Sequence, residues 1–289
     1  FVATTILNSF NIFKSNLEIT DLQHTTVSKR QTDIREVIKK ELTVNDSFLT
    51  GSYSRSTMIA PLKEADIDIF VVLHSSYYDK DGQAKLLDNV KAVLKKEYTR
   101  TPKISRNGQA VTITFNDFVV DVVPAFNRSG GGYLIPNSSL QQWISTDPKQ
   151  HVTIMCDHNK THNGKLVPLI KMIKSWNRNI SFPFSSFNLE VMALQILEGV
   201  TITDFPSGVR YYFDKAKDYV QKKNPDPAGY NDDVGAYLNS TSKVETAVSN
   251  LTTAYNRALK AESLADQNMI QDSVNEWRKI FGSYFPAYG

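Results

Sequence analysis

The stretch Ala65-Asp66-Ile67-Asp68-Ile69-Phe70-Val71-Val72-Leu73 places two carboxylates at the start of an apolar run. The run is rich in β-branched residues and has the length of a strand that is buried on both faces. Side chains alternate along a strand, so Asp66 and Asp68 are predicted to share one face. Like charges this close repel unless a cation neutralises them. The stretch therefore predicts either a site for a hard cation such as Mg²⁺ or Mn²⁺, or a pair of acids that frays the strand end into solvent.

The residues before this strand form a candidate phosphate-binding turn. Ser47-Phe48-Leu49-Thr50 has the composition of a short strand, and Gly51-Ser52 follows it at the start of a helical turn. Glycine lets the backbone approach a ligand closely, and the first N–H groups of a helix attract phosphate, to which the Ser52 hydroxyl adds a donor. The other interpretation is a tight turn whose serine caps a short helix.

A third carboxylate, Asp121, lies within the apolar stretch Phe118-Val119-Val120-Asp121-Val122-Val123-Pro124. An isolated buried Asp is costly, so by itself Asp121 indicates a hydrogen-bonded structural residue or an acid on an edge strand. If this strand pairs beside the strand of Asp66, three carboxylates meet at one edge of the sheet. That arrangement can hold two divalent ions.

Length and composition are those of an ordinary globular protein. The 289 residues predict about two domains. No apolar run approaches the ~20 residues of a membrane span, so we expect no membrane partner. A single cysteine, Cys156, gives no support to an oxidising compartment, and we expect a cytoplasmic protein. The net charge of +3 is too small to indicate a dedicated nucleic-acid coat.

The hydrophobic pattern divides the chain into a mixed α/β part and a helical part. Helices are predicted over residues 3–17, 22–42 and 82–98, with strands around the three acids. The glycine-rich stretch 129–136 is predicted to be a loop, and helical patterns dominate after Asp147-Pro148. We therefore expect one domain over residues 1–145, containing the N-terminal helices, and a helical domain over residues 146–289.

Histidines near the start of the second part raise the alternative of a zinc site. His151, His158 and His162 are spaced to share one helix face, and Cys156 lies among them. A lone cysteine in a polar helix lacks the paired spacing of a structural zinc site, so the sequence favours ordinary helix residues.

Taken together, Gly51-Ser52, Asp66-x-Asp68 and Asp121 resemble the motif of the DNA polymerase β-like nucleotidyltransferases. Ser52 precedes Asp66 by 14 residues, and Asp68 precedes Asp121 by 53. The resemblance implies an α+β fold, in which a polymerase β-like core of mixed sheet and flanking helices precedes a C-terminal helical domain that completes the nucleotide site. It also implies that Asp66, Asp68 and Asp121 are the catalytic residues and the ligands of two Mg²⁺ ions, with Mn²⁺ as an alternative.

The second half is similar to the branch that contains cyclic GMP-AMP synthase, oligoadenylate synthase and the bacterial cyclic-oligonucleotide synthases of anti-phage signalling. The stretch 166–178 resembles the helix from which this family directs a lysine at the nucleotide triphosphate. Lys174, two residues before Trp176, matches that lysine, and Lys171 is a second candidate one turn earlier.

The stretch Ser185-Ser186-Phe187-Asn188-Leu189-Glu190 resembles the start of the next helix of the family. There a small polar residue touches phosphate and an aromatic ring stacks on the base, and Ser186 and Phe187 occupy these positions. The family more often has Tyr than Phe, so the resemblance implies stacking without a hydroxyl contact. The implied nucleotide-binding residues are Gly51, Ser52, Lys171, Lys174, Ser186 and Phe187.

Two further stretches, 143–148 and 276–286, look like the bacterial members more than the animal ones. The animal sensor of double-stranded DNA has a zinc-binding insertion, which the Cys and His residues of this chain do not match. We therefore expect no dedicated DNA-binding zinc insertion.

The resemblance implies an enzyme that joins NTPs into a cyclic di- or trinucleotide second messenger in CBASS anti-phage signalling. The substrates would be ATP, GTP or both, with pyrimidine NTPs left open. The linkage, 2′-5′ or 3′-5′, the mode of activation, a regulatory partner and the oligomeric state also stay open. One alternative is another polymerase β-like transferase, acting on an RNA 3′ end, a small molecule or a protein. The other is a catalytically silent nucleotide- or RNA-binding module, against which the three retained acids argue.

Overall fold

The strand of Asp66 and Asp68 lies in a mixed sheet. The structure is a computed structural model that describes residues 3–101, 103–180 and 184–289. Within these ranges the strands are β1 (Val44–Thr50), β2 (Asp66–Leu73), β3 (Lys103–Asn107), β4 (Ala110–Thr114), β5 (Val119–Asn127), β6 (Tyr133–Asn137) and β7 (Gln142–Thr146). The α-helices are α1 (Ile6–Asn16), α2 (Asp21–Glu41), α3 (Gly51–Ser54), α4 (Gln83–Glu97), α5 (Pro148–Thr161), α6 (Leu166–Arg178), α7 (Ser186–Ile196), α8 (Phe205–Tyr219), α9 (Thr241–Asp266) and α10 (Ile270–Phe281).

The order of the strands brings the two acidic strands together. The main path is β1-β2-β5-β4-β3, in which β2 and β5 run parallel and the other neighbours run antiparallel. β6 pairs with the end of β5, and β7 pairs with β6. A parallel pair needs a long crossover, and the chain from β2 to β5 supplies it through α4 and the β3–β4 hairpin.

Alternation along β2 separates an apolar face from the acidic one. Ile67, Ile69 and Val71 are buried in one core cluster with the apolar sides of α2 and α4. On the opposite face, Phe70 and Val72 are buried in a smaller cluster with residues of β5 and β6. The strand is thus buried on both faces only in its second half. At its beginning the second face carries Asp66, which is exposed, and Asp68, which is partly exposed.

The loop predicted over residues 129–136 is only partly a loop. Gly130–Gly132 have positive φ angles and make a turn, but the chain then enters β6, which pairs with β5 through Leu134 and Tyr133. The prediction was wrong for this second half because Gly and Pro obscure a strand pattern this short. Strand formation here depends on the neighbouring strand more than on local propensity.

The chain separates into two compact units by its internal contacts. The sheet unit comprises Ile19–Val152, and the helical unit comprises the chain up to Glu18 and from Thr153 onward. This division differs from the one expected at residue 145 in two ways: it falls between Val152 and Thr153, and α1 belongs to the helical unit.

The reason for the different division is aromatic packing. The Phe10 ring of α1 lies 4.9 Å from the Trp277 ring and 5.1 Å from the Phe285 ring, centroid to centroid. The Phe13 ring lies 4.6 Å from that of Phe281. Such aromatic pairs contribute about 0.5–1.5 kcal/mol each beyond the burial of their surface. Local sequence predicts helix α1 but contains no sign of partners more than 260 residues away.

The helical unit is built around α6 and α7, whose residues are mostly buried. Helix α7 is apolar on nearly all sides, which is typical of a helix inside a bundle. Helix α6 also buries polar residues, among them Lys171, Lys174 and Asn177. In the described ranges, no helix is both long and apolar enough to span a bilayer.

We expect Phe10→Ala to lower the free energy of unfolding by about 3–5 kcal/mol, because it leaves a cavity among fully buried aromatic rings. Leu7→Ala on the same helix is the control. The Leu7 side chain is 63% exposed, so its loss should change stability by less than about 0.5 kcal/mol. Urea denaturation of both variants measures the effect, and equal losses would contradict the packing of α1 into the helical unit.

Candidate active site

The pairing of β2 with β5 places two carboxylates directly opposite each other. Asp68 is the register partner of Asp121. Asp66, two residues before Asp68 on the same face of β2, pairs with Val119. Thr50 of β1 pairs with Asp68, and Thr112 of β4 pairs with Asp121. Because register partners share a face of a sheet, Thr50, Asp68, Asp121 and Thr112 form one polar row across four strands.

The electrostatics of the row reflect burial and mutual repulsion. Burial, followed by the charges of Asp121 and Asp66, raises the pKa of Asp68 to about 7, while Arg55 acts in the opposite direction. Burial and the charge of Asp121 also raise the pKa of Asp66. Asp68 therefore holds a proton up to near-neutral pH unless a cation stabilises its charged form.

Asp121 differs from the other two acids in having a strong hydrogen-bond partner. Its Oδ1 accepts a hydrogen bond of 2.5 Å from the Thr112 hydroxyl. Burial raises the pKa of Asp121, and this hydrogen bond lowers it, because the donor stabilises the carboxylate form. Thr112 thus fixes one oxygen of Asp121 within the sheet.

Gly51 brings the turn into direct contact with the acidic row. Its φ is +67°, and a Cβ built there would lie 1.8 Å from Oδ2 of Asp68. Glycine is therefore required for two reasons: the φ angle is positive, and Asp68 occupies the space that a Cβ would need. The Ser52 carbonyl accepts hydrogen bonds from Thr57 N at 2.9 Å and Met58 N at 3.1 Å, which close the turn. Ser52 itself stays partly exposed.

A contact from α2 supports the same turn. The hydroxyl of Tyr53, which follows Ser52, lies 3.1 Å from Nδ1 of His24, and their rings are 5.7 Å apart. Neither residue could be singled out from the sequence, because nothing local indicates that α2 lies beside the turn.

The donor chemistry of the acidic row fits a divalent cation. Its carboxylate oxygens are the hard ligands that Mg²⁺ and Mn²⁺ prefer. Burial raises the pKa of all three acids, and repulsion between carboxylates raises it further for Asp66 and Asp68. The acids form an open row and not a closed cage. Within the described ranges, no three His, Cys, Asp or Glu residues stand in a ready-made metal cluster.

The residues predicted to bind nucleotide in the helical unit have two kinds of environment. Ser186 is exposed and Phe187 is partly exposed at the start of α7. Lys174 is buried, and its Nζ lies 2.5 Å from Oε1 of Glu190, which is itself 1% exposed. Lys171 is also buried, with its Nζ 2.6 Å from Oε2 of Glu18. Both lysines thus have carboxylate partners inside their own unit.

Three residues near the acids were not identified from the sequence. Thr112 bonds Asp121, Arg55 acts electrostatically on Asp68, and Thr50 lies opposite Asp68. Thr50 and Arg55 flank the turn in the sequence, so the sequence could have identified both as residues near the acids. Thr112 became identifiable only once the register of β4 and β5 was known.

We expect the stability of the metal-free chain to depend on pH through Asp68. The folded state retains a proton that the unfolded chain releases near its ordinary pKa of 3.8. Stability should therefore fall as the pH rises from about 4 to about 7. Asp68→Asn removes this loss, so it should be more stable than the wild type by ~1–3 kcal/mol at about pH 8 and similar to it at about pH 4.

Urea denaturation in the presence of a chelator measures this difference. The control is Asp88→Asn, which changes an exposed acid on α4 that pairs with Arg106. A difference between Asp68→Asn and the wild type that stayed constant with pH would show that Asp68 is not the titrating group.

Comparison with known proteins connects this geometry to a family. Residues 5–159, more than half of the chain, match the model of the Second Messenger Oligonucleotide or Dinucleotide Synthetase domain. A protein of Bacillus cereus (strain VD146), named "Probable cyclic nucleotide synthase", is 26% identical over 275 residues, covering 82% of this chain and 81% of the relative. A "Cyclic AMP-AMP-AMP synthase" from Acinetobacter sp. is 33% identical over 137 residues, covering 46% of this chain and 39% of the relative.

The fold is similar to that of a solved structure. The chain superposes on Escherichia coli MS115-1 CdnC, solved with ATP, with a TM-score of 0.78 and 18% identity, covering 97% of this chain and 99% of that chain. This likeness confirms the predicted α+β class, a polymerase β-like mixed sheet followed by a helical region. The family match and the named relatives confirm the predicted resemblance to bacterial cyclic-oligonucleotide synthases, and with it the prediction of a nucleotidyltransferase. The chain therefore belongs to the family of second messenger oligonucleotide or dinucleotide synthetases.

Proposed function

We propose that this chain joins NTPs into a cyclic di- or trinucleotide second messenger and releases pyrophosphate at each bond. The observation behind the proposal is the register of Asp68 with Asp121 on neighbouring strands, with Asp66 on the same face and Gly51 in contact with Asp68. The named relatives support cyclic nucleotide products, and one of them is a cyclic AMP-AMP-AMP synthase. ATP is accordingly the first substrate to test, followed by GTP.

The reaction replaces a phosphoanhydride bond by a phosphoester bond. The oxygen of a ribose hydroxyl bonds to the α-phosphorus of an NTP, the bond from that phosphorus to the leaving pyrophosphate breaks, and the hydroxyl loses its proton. Asp66, Asp68 and Asp121 would hold two Mg²⁺ ions. When bound, such ions make the hydroxyl easier to deprotonate and neutralise the charge on the triphosphate. Asp121, fixed by Thr112, is the carboxylate that we assign to the side of the attacking hydroxyl.

Nucleotide binding is assigned separately in each unit. In the sheet unit, Gly51 and Ser52 are assigned to phosphate, because their turn closes beside the acids. In the helical unit, the exposed Ser186 is assigned to phosphate and Phe187 to stacking on a base. Stacking of this kind is typically worth about 1–3 kcal/mol.

Lys171 and Lys174 stay in the proposal as phosphate ligands by family resemblance. Their burial against Glu18 and Glu190 adds a condition. Each ammonium group has three protons, so a nucleotide would have to share it with its carboxylate partner or replace that partner.

The family resemblance supports a cellular role. We propose that the product is a signalling molecule of anti-phage defence and that the enzyme acts in the cytoplasm, where NTPs are available. Activity would then be useful only after infection.

The purified chain, incubated with NTPs and Mg²⁺ and no other acceptor, should form a cyclic oligonucleotide and pyrophosphate. Asp66→Ala, Asp68→Ala and Asp121→Ala should each reduce the rate by at least about a hundredfold, because each removes a ligand from the reacting centre. Asp88→Ala, a change to an exposed acid of the same unit, should have the wild-type rate. Mass spectrometry identifies the product.

Each other result of this assay points to another function. Products that form only when RNA, a small molecule or a protein is added would identify a different transferase. No turnover under any of these conditions would fit two cases, a silent binding module and an enzyme that needs an activator. Wild-type rates in the three aspartate variants would contradict the assignment of the acids.

We expect Gly51→Ala to lose nucleotide polymerisation, because its Cβ would overlap Oδ2 of Asp68. Gly108→Ala is the matched control for backbone strain. Gly108 also has a positive φ, +60°, but its nearest atom to a new Cβ, Ser139 Oγ, is 3.9 Å away. Activity should be retained in Gly108→Ala, and circular dichroism checks that both variants fold. Equal activities in the two variants would show that the contact with Asp68 is unimportant.

A further inference from the structure

The segment between α8 and α9, residues 220–240, is a long connection without helix or strand. Loops of this length are uncommon in compact domains and are usually functional. We call it the α8–α9 loop. Among the bonds that hold it, Oδ1 of Asp233 accepts from Asn224 N at 3.0 Å and from Gly235 N at 2.8 Å. Val234 N donates to Asn224 O at 2.8 Å. The loop is therefore internally braced.

One side chain of this loop is bonded to the start of α7. The hydroxyl oxygen of Tyr237 accepts a hydrogen bond of 3.1 Å from Ser185 N and a second of 3.1 Å from Nδ2 of Asn188. These two donors flank Ser186 and Phe187 in the sequence. Ser186 and Phe187, which are proposed to bind nucleotide, thus lie between two residues that both donate a hydrogen bond to the Tyr237 hydroxyl.

The start of α7 is supported on one side by α6, where Asn177 Oδ1 accepts from Phe184 N at 2.6 Å and Asn177 Nδ2 donates to Phe184 O at 2.8 Å. The N-cap of α7 adds no bond of this kind. Ser185 is the N-cap residue, yet its side chain does not cap the helix. Asn188 is fully buried, and its Oδ1 has no hydrogen-bond partner within the described ranges. A buried amide normally uses its donors and acceptors, so the bond to Tyr237 is an important constraint on Asn188.

The loop is packed closely enough to hold Tyr237 in place. A Cβ at Gly235 would lie 3.4 Å from Nδ2 of Asn188 and 3.3 Å from Nδ2 of Asn224. The carbonyl of Tyr237 accepts from Nζ of Lys243, on α9, at 3.2 Å. Tyr237 is partly buried, and this burial raises the pKa of its phenol. The hydroxyl therefore stays uncharged at neutral pH while it accepts both bonds.

We propose that Tyr237 is a positioning residue for nucleotide binding, whose hydroxyl fixes the N-terminal turn of α7 and so orients Ser186 and Phe187. The inference rests on the proposed function, because it assigns a purpose to residues that contact nucleotide there. The physical reason is pre-organisation. A ring and a hydroxyl that are already oriented lose less conformational freedom when a ligand binds.

The test begins with Tyr237→Phe, which removes one oxygen and keeps the ring. We expect the Kd of a non-hydrolysable ATP analogue and the KM for ATP to rise about tenfold, because the two hydrogen bonds that orient Ser186 and Phe187 are lost. The kcat should change less than about twofold, because Tyr237 does not act on the reacting atoms. Tyr219→Phe, at the end of α8, is the control and should resemble the wild type.

A second variant removes one of the two bonds, the one from Ser185 N, from the other side. Ser185 has a φ of −57°, which proline adopts, so Ser185→Pro deletes the N–H donor with little backbone strain. If both substitutions act through one contact, the double variant should be no worse than the worse single variant. Ser185→Pro also provides the test if Tyr237→Phe fails to fold.

Hydrogen exchange without nucleotide gives a readout that is independent of activity. Amide exchange in residues 186–190 should be faster in Tyr237→Phe and Ser185→Pro than in the wild type. Faster exchange with an unchanged Kd would show a merely structural contact and overturn the proposal, while the proposed function would stand. Unchanged exchange and Kd would overturn it as well. If the wild type bound no nucleotide, the proposed function would fail together with the positioning role.

Discussion

Repulsion between carboxylates on neighbouring strands is the constraint on which the rest of the sheet unit depends. Asp66, Asp68 and Asp121 share one face, and the pKa of each is raised. Such a face is unfavourable without a cation, so the opposite face must hold the strands together. Ile67 and Ile69, fully buried with α2 and α4, provide that attachment through apolar burial. Apolar packing on one face of β2 thus stabilises a strand whose other face carries repelling carboxylates.

The acidic face shows how far the sequence alone could lead. Alternation along a strand is a local property, so the shared face of Asp66 and Asp68 could be predicted from spacing. The register of Asp68 with Asp121 is a property of topology. Fifty-three residues separate them, and their closeness depends on a parallel pairing that the family motif implied but spacing did not. The bond from Thr112 to Asp121 depends on a second register, between β4 and β5, and no sequence signal marked it.

The helical unit shows a different limit. Family resemblance singled out Lys174, Ser186 and Phe187 by position, but position does not show a side chain's surroundings. Ser186 and Phe187 keep exposed surface at a helix start. Lys174 instead lies inside the unit against Glu190, because a buried ammonium group needs a carboxylate partner. The membership of α1 in this unit was equally invisible, since it depends on rings at the opposite end of the chain.

The contact between Gly51 and Asp68 has a consequence for how such a protein can change over generations. A single methyl group at position 51 would overlap the carboxylate, so even the smallest side chain is excluded there. Most positions tolerate substitution by chemically similar residues, but at position 51 no such residue fits. Under the proposed function, losing this glycine would therefore be a one-step route from an active synthetase to an inactive chain whose hydrophobic core is intact. A lineage that needs to abandon the chemistry and keep the scaffold for binding has that route within one codon change.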